Sequence, residues 1–183
     1  MSVPAPVPFI PLPQARESRF AVAFLGTVVA IACLGRYGFG ARGLISAFVA
    51  VVLVLISAID IERRIIPNRI VLPAIAIVLL AQLAFYPGQA AEWILAAIGA
   101  GLFFLVPILF YPSGMGLGDV KLAFLLGAAL GMAVMGALLI GLLAAAAFGI
   151  SILVREGKAG RKTAIPFGPF LALGAIITLL FFF

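Results

Sequence analysis

Long apolar runs separated by short polar turns dominate this sequence, and they restrict the folds that it can adopt. Of the 183 residues, 66% are hydrophobic and 10% are charged, and the mean hydropathy is +1.34. This composition leaves too little polar surface to cover a soluble globule. The sequence therefore predicts an all-α fold, a polytopic integral membrane helical bundle with about six to seven transmembrane segments.

The apolar runs divide into seven candidate transmembrane segments. A hydrocarbon core about 30 Å thick is crossed by about 20 helical residues. Residues 120–154 contain no loop signal, yet at about 1.5 Å per residue they are far too long for one crossing. We therefore divide them near Gly131 to Gly136, and we expect the first and fifth segments to be short. The predicted segments are 20–34, 43–61, 70–86, 93–112, two within 120–154, and 164–183.

Basic residues lie between the apolar runs rather than in one patch, which argues against nucleic-acid binding despite a net charge of +6. Cytoplasmic loops of membrane proteins are enriched in Lys and Arg. With a cytoplasmic amino terminus, only Arg36 and Arg42 lie outside, and Asp60 and Asp119 lie on the inner side. This topology also makes the 155–162 loop cytoplasmic. The inner basic residues are then Arg16, Arg19, Arg63, Arg64, Arg69, Lys121, Arg155, Lys158, Arg161 and Lys162.

A proline-rich stretch precedes the first apolar run. Repeated prolines prevent a regular helix and favour an extended, polyproline-like chain. We therefore expect residues 1–19 to form a flexible tail and residues 20–183 to form one membrane-embedded domain. The prolines of the tail are Pro4, Pro6, Pro8, Pro11 and Pro13.

The residue types available for chemistry are few. Cys33 is the only cysteine, and the chain has no histidine. A zinc site built on paired cysteines and any His-based catalysis are therefore excluded. We expect no metal and no cofactor, which leaves carboxylates, hydroxyls, lysines and backbone groups to carry any reaction.

Asp60 and Asp119 stand out among the acids because each lies at one end of an apolar segment. Ionisable groups at membrane depth cost about 2.5 to 3.5 kcal/mol each on insertion, so they indicate a functional site. Two carboxylates that share one water can hydrolyse a peptide bond, since one accepts a proton from water and the other donates one to the carbonyl oxygen. Structural roles remain open: Asp119 suits a helix N-cap, and Asp60 could pair with Arg64 four residues later.

Glycines alternate immediately before the second aspartate. Gly114, Gly116 and Gly118 precede Asp119, and glycine lets backbones approach closely. A plain helix start would need only one of them. The spacing therefore indicates room beside the carboxylate for an extended peptide.

Prolines mark two further stretches. Pro67 and Asn68 end the second segment in a turn. Pro166, Gly168 and Pro169 open the last segment. On its own, this last cluster indicates only a helix start softened by proline.

These stretches resemble the three signature stretches of the type IV prepilin peptidases, which are polytopic aspartic proteases with a Gly-x-Gly-Asp motif. The similar stretches are residues 60–68, 116–122 and 166–172, and the resemblance covers about residues 43–183. Presenilin-like proteases share the glycine motif but place Tyr before the first aspartate, where this chain has Ile59. The resemblance implies catalytic Asp60 and Asp119, supporting residues Gly116, Gly118, Lys121, Pro67 and Asn68, and substrate-path candidates Gly114, Pro166, Gly168 and Pro169.

The chain resembles the short, peptidase-only members that serve tight-adherence (Flp) pili. Bifunctional members carry a cytoplasmic insert with paired cysteines that is associated with N-methylation, and no such pair is present here. N-methyltransferase activity is therefore not expected. The implied substrates are prepilins or pseudopilins, in which a short basic leader precedes a hydrophobic helix. Their cleavage is expected at the cytoplasmic face of the bacterial inner membrane.

Two other functions remain open from the residues alone. A small proton-coupled membrane transporter could use Asp60 and Asp119 as a proton relay, but this function predicts acids deeper in the bilayer. A non-catalytic pilus or secretion assembly factor would use both acids only as caps or ion pairs.

Overall fold

A computed structural model describes residues 16–110, 116–156 and 165–183. Within these ranges the chain is helical and contains no strand, which confirms the predicted all-α fold class. Two short 3₁₀ turns, Pro87–Gln89 and Gly131–Ala133, connect consecutive helices. The α-helices of the described chain are α1 (Arg16–Tyr37), α2 (Ala41–Arg63), α3 (Asn68–Phe85), α4 (Ala90–Phe110), α5 (Leu117–Leu130), α6 (Val134–Glu156) and α7 (Gly168–Phe181).

Five segments of the described chain are long and apolar enough to cross a membrane, as judged by length and composition. The last of them, Leu117–Arg155, has 39 residues and includes all of α5 and all of α6 except its last residue. The helix α7 is apolar but has only 14 residues. The helix α5 also has 14 residues, as expected for a short fifth segment.

The first segment is not short, which corrects the prediction. The helix α1 has 22 residues and begins at Arg16. Arg and Glu are good helix formers, so the polar residues before the apolar run extend the helix toward the last proline. Residues 1–15 of the expected tail lie outside the described part of the chain.

Gly131 breaks the helix between α5 and α6. Its φ is +55°, a left-handed value that glycine adopts far more readily than other residues. A Cβ here would lie 2.6 Å from Glu92 Oε1 and 2.8 Å from the Trp93 ring. The next residue, Met132, donates its backbone N–H to Glu92 Oε1 at 3.1 Å. The start of α4 therefore supports the turn.

The helix α6 runs back along the bundle after this turn. At the end of α5, the Ala129 carbonyl accepts a hydrogen bond from Gln82 Nε2, near the end of α3, at 3.2 Å. Gly141 of α6 then lies against the start of α7, and Gly174 of α7 lies against the backbone of Ala137. The helix α6 is therefore antiparallel to α7 and ends near the start of α7. Since α5 and α6 are separate helices that run in opposite directions, the division of residues 120–154 into two segments is confirmed.

Small residues allow the central helix α5 to approach its neighbours closely. Residues 122–130 of α5 are nearly all inaccessible to solvent and form much of the hydrophobic core. Gly127 lies directly against the α4 backbone at Ala96, and Gly101 of α4 lies against Phe124. Small residues at such contacts are typical of helix packing in membranes. The first turn of α5, which carries Asp119, is therefore anchored by the most buried helix of the bundle.

Basic residues are distributed unequally between the two ends of the bundle. We call the end that carries Asp60 and Asp119 the aspartate end. At the opposite end, Arg42 lies over the rings of Tyr86 and Phe183, with its guanidinium carbon 5.7 Å and 5.4 Å from their centres. Arg36 is at the same end. The described basic residues of the aspartate end are Arg19, Arg63, Arg64, Arg69, Lys121 and Arg155.

This arrangement makes a topology prediction. Single cysteines at Gln89 and Arg155, each in a Cys33→Ala background, should react with an impermeant thiol reagent from opposite sides of the membrane, and Arg155→Cys from the cytoplasmic side. Both positions are exposed, at opposite ends of the bundle, whereas Cys33 is buried. Labelling of both from one side would contradict the reversal at Gly131. Lys158, in the 155–162 loop, lies outside the described residues.

Candidate active site

The two predicted aspartates line one pocket at the aspartate end. Asp60 lies in the last turn of α2, and Asp119 is the third residue of α5. The pocket has a volume of about 340 Å³. Its other lining residues include Arg64, Ile66, Gly116, Gly118, Pro166 and Phe167. The structure thus brings together side chains from three separate parts of the sequence.

Asp60 is held by the start of α7. Its side chain is only 5% exposed, and its Oδ2 accepts a hydrogen bond from the backbone N–H of Gly168 at 2.9 Å. Gly168 is the first residue of α7, so this N–H has no partner within its own helix. The positive end of the α7 dipole also faces the carboxylate. The contact therefore caps α7 and fixes the orientation of Asp60.

The alternative ion pair between Asp60 and Arg64 is wrong. Arg64 ends α2 in a left-handed conformation, and its backbone N–H donates to the Asp60 carbonyl oxygen at 2.8 Å. The carboxylate of Asp60 bonds to Gly168 instead. The left-handed conformation of Arg64, with φ +54°, turns the chain out of the helix, so the Arg64 side chain does not follow the helical course on which an i to i+4 pair depends.

The alternative role of Asp119 as an N-cap is also wrong. Gly116 is the N-cap residue, with φ −84° and ψ 148°, and it makes no side-chain capping hydrogen bond. The helix starts at Leu117, so Asp119 is already inside the first turn, where a carboxylate is favoured by the helix dipole. Its half-buried side chain lines the pocket.

Gly118 makes room for Ile66 rather than for a peptide alone. A Cβ at Gly118 would lie 2.9 Å from Ile66 Cβ, and Ile66 is buried. At Gly116 a Cβ would have only ordinary contacts, 3.8 Å from Gly118 N and 3.9 Å from Asp119 Oδ2. Gly118 therefore packs against Ile66 in addition to lining the pocket, and the room that it leaves for a peptide stays a prediction. Gly114 lies outside the described residues.

This packing predicts different responses at the two glycines. Gly118→Val should lower the free energy of unfolding by about 1 to 3 kcal/mol through overpacking against Ile66, and it should also disrupt the pocket. Gly116→Ala is the matched control and should leave the unfolding transition unchanged. Thermal and denaturant unfolding of the purified variants measure both effects. A Gly118→Val protein as stable as the parent would show that Ile66 yields without cost.

Three supporting residues lie beside the pocket and connect helices. Lys121 Nζ donates to Asn68 Oδ1 at 2.7 Å, which joins the start of α5 to the start of α3. Pro67 is the N-cap residue of α3, with φ −73°. The proline ring restricts φ to about this value, which suits the turn that leads into the helix. These contacts hold the segment around Ile66 against Gly118, and none of the three residues lines the pocket itself.

The residues before and within α7 have separate roles. Pro166 and Phe167 line the pocket, and the Phe167 ring packs against Phe104 of α4 with ring centres 6.0 Å apart. Pro169 lies in the first turn of α7, where a missing N–H costs little, and it faces a different groove beside Ile61. Of the path candidates, Pro166 therefore lines the pocket, Gly168 holds Asp60, and Pro169 does neither.

Sequence reasoning missed Arg64, Ile66 and Phe167 as parts of the pocket. The positions of all three inside the signature stretches were the available signal. In the part of the chain that the structure describes, no three Cys, Asp or Glu side chains are grouped closely enough to hold a metal ion.

Comparisons with known proteins give similarity across the region that holds both aspartates. A sequence profile of the type IV leader peptidase family matches residues 47–153. A prepilin leader peptidase/N-methyltransferase from Xanthomonas campestris pv. campestris is 33% identical over 159 residues, which cover 83% of this chain and 55% of that protein. A protein of the same name from Legionella pneumophila is 34% identical over 166 residues, which cover 86% of this chain and 57% of that protein. No solved structure matches.

The extent of the match matters for its interpretation. The chain spans about half the length of the curated relatives that it matches, 55% in the first and 57% in the Legionella protein. The family profile covers more than half of this chain: it includes all of α3, α4 and α5 and most of α2 and α6. Because the profile match also includes Asp60 and Asp119, the chain belongs to the type IV leader peptidase family.

Proposed function

We propose that this protein is a membrane aspartic endopeptidase that removes the basic leader from prepilins, with Asp60 and Asp119 activating water. The observation that carries the proposal is the meeting of two carboxylates, from α2 and α5, in one pocket. Family membership supplies the reaction class, because the relatives are named prepilin leader peptidases.

The chemistry needs one carboxylate and one carboxylic acid next to the same water. The carboxylate accepts a proton from water as its oxygen attacks the scissile carbonyl carbon, and the acid protonates the carbonyl oxygen. The tetrahedral intermediate then collapses, the C–N bond breaks, and the leaving nitrogen receives a proton. The Gly168 N–H takes one acceptor site of Asp60 Oδ2, and we propose that Oδ1 is the oxygen that contacts the water.

The position of the pocket suits a peptide that arrives from an aqueous face. Asp60 lies in the last turn of its helix and Asp119 in the first turn of its own, whereas a proton relay through the bilayer predicts deeper acids. The aspartate end also carries most of the described basic residues. By the positive-inside rule, we propose that this end faces the cytoplasm of the bacterial inner membrane.

The proposed substrates are prepilins or pseudopilins with a basic leader and a hydrophobic helix. The helix would remain in the bilayer while the cleavage site enters the pocket at its edge. We also propose a peptidase-only activity of the tight-adherence kind for these 183 residues, whose single cysteine leaves no cysteine pair. Methyl transfer by these residues is therefore not expected.

Incubation of the purified protein with a candidate prepilin in lipid vesicles, followed by mass analysis, tests the proposal. The expected product lacks the leader, and its new amino terminus carries no added methyl group when a methyl donor is supplied. Failure to cleave prepilins from the same genome would contradict the peptidase. A methylated product would contradict only the peptidase-only activity.

A further inference from the structure

The conformation of Arg64 is unusual for its side chain. Among the non-glycine residues that the structure describes, Arg64 alone has a positive φ, 54°. It occupies the C-cap of α2 with ψ 40°, a left-handed position at which glycine or asparagine is usually found. A side chain there strains the backbone, and such strain concentrates at functional sites.

Arg64 is also the cationic residue of the catalytic pocket. Among the described lining residues it is the only Lys or Arg, and it shares the pocket with both aspartates. Its backbone N–H bonds to the Asp60 carbonyl, whereas the Asp60 carboxylate is already bonded by Gly168. Arg64 is exposed, so its five N–H donors remain accessible to a ligand in the pocket.

An extended peptide matches these donors. Whatever its side chains, such a peptide presents backbone carbonyl oxygens, and a guanidinium group donates to them in a fixed planar geometry. In the proposed mechanism the one protonated aspartate donates to the scissile carbonyl oxygen, and the other, as a carboxylate, can only accept hydrogen bonds, so the carbonyls on either side of the scissile bond need another donor. Arg64 supplies the missing donor.

We propose that Arg64 is a substrate-binding residue that donates hydrogen bonds to backbone carbonyl oxygens of the peptide beside the scissile bond. The proposal rests on the peptidase function proposed above. The left-handed turn places Arg64 at the pocket, and glycine would fit that backbone more easily but would remove the donor. Arg64 therefore lowers the stability of this turn but provides a hydrogen-bond donor for the substrate.

Arg64→Gly separates these two effects. The variant should gain about 2 to 4 °C in unfolding temperature, because glycine relieves the left-handed strain. Its kcat/KM for a prepilin should fall about tenfold or more, as expected for loss of a charged hydrogen bond, and the loss should appear mainly in KM. Arg64→Asn, which also tolerates this backbone, should lose activity in the same way.

Arg63→Ala and Arg64→Lys complete the test. Arg63 is the neighbouring cation and does not line the pocket, so its removal should leave kcat/KM near that of the parent. Arg64→Lys keeps the charge but loses the planar donor group, so it should bind the substrate less well than the parent. Full activity in Arg64→Lys, or a loss in Arg64→Gly that disappears without anionic lipid, would overturn the proposal in favour of headgroup binding.

Other outcomes are equally decisive. Arg64→Gly with the kcat/KM of the parent would overturn the substrate contact, and an unchanged or lower unfolding temperature would overturn the strain argument. An equal loss of kcat/KM in Arg63→Ala would show that the positive charge of the surface as a whole, rather than a contact made by Arg64, promotes cleavage. If the parent itself cleaves no prepilin, the proposed function fails, and that failure is distinguished by the parent reaction alone.

Discussion

Asp60→Asn and Asp119→Asn are each expected to lower leader cleavage by about a hundredfold to ten-thousandfold, the usual contribution of an acid–base group. One residue must exchange a proton with water and the other with the substrate carbonyl, so neither replaces the other. An amide has the shape of the carboxylate but exchanges no proton in this way. At residue 60 the amide oxygen can still accept the Gly168 N–H, so α7 should stay capped.

Mass analysis of prepilin after incubation with each variant measures the effect. Glu92→Gln is the matched control, since Glu92 accepts the Met132 N–H at the opposite end of the bundle and its amide can do the same. The control should cleave at the rate of the parent, and all three variants should insert and unfold as the parent does. Substantial turnover by either aspartate variant would refute the dyad.

Local patterns predicted the order of the described helices, although α1 is longer than expected. Each transmembrane segment is recognised by its own length and hydrophobicity, without knowledge of its neighbours. A turn near Gly131 to Gly136 was predicted from the length of residues 120–154 and from the positive charge of the loop that follows them. What the pattern could not supply is the support of that turn by Glu92 and Trp93, because those residues come from the start of another helix.

The members of the site were predicted better than their contacts. Asp60 and Asp119 were placed at the same depth by segment boundaries and charge. Asp60 and Gly168 are separated by 108 positions, so local sequence contains no sign of their hydrogen bond. The N-cap residue of α5 is Gly116 and not Asp119 as the sequence suggested. An N-cap assignment depends on the residue at which the helix begins, and sequence patterns alone do not fix that residue to within one or two positions.

Gly168→Ala is expected to preserve the bundle and to lower leader cleavage about a hundredfold, because small displacements of a catalytic group can cost that much. A Cβ at Gly168 would lie 2.9 Å from Asp60 Oδ2 and 3.3 Å from Asp60 Cγ. The carboxylate must therefore move away from the amide that orients it. The displaced atoms belong to a side chain rather than to backbone, so the helices themselves need not shift.

Gly99→Ala in α4 is the matched control, because a Cβ there would have nothing within 4 Å. Steady-state cleavage and thermal unfolding should be measured for both variants. Misplacement of Asp60 reduces stabilisation of the transition state but leaves peptide binding unchanged. In Gly168→Ala, kcat should therefore fall while KM stays near that of the parent. A kcat equal to that of Gly99→Ala would mean that Asp60 reaches its working position without the amide of Gly168, and that Gly168 matters to the fold alone.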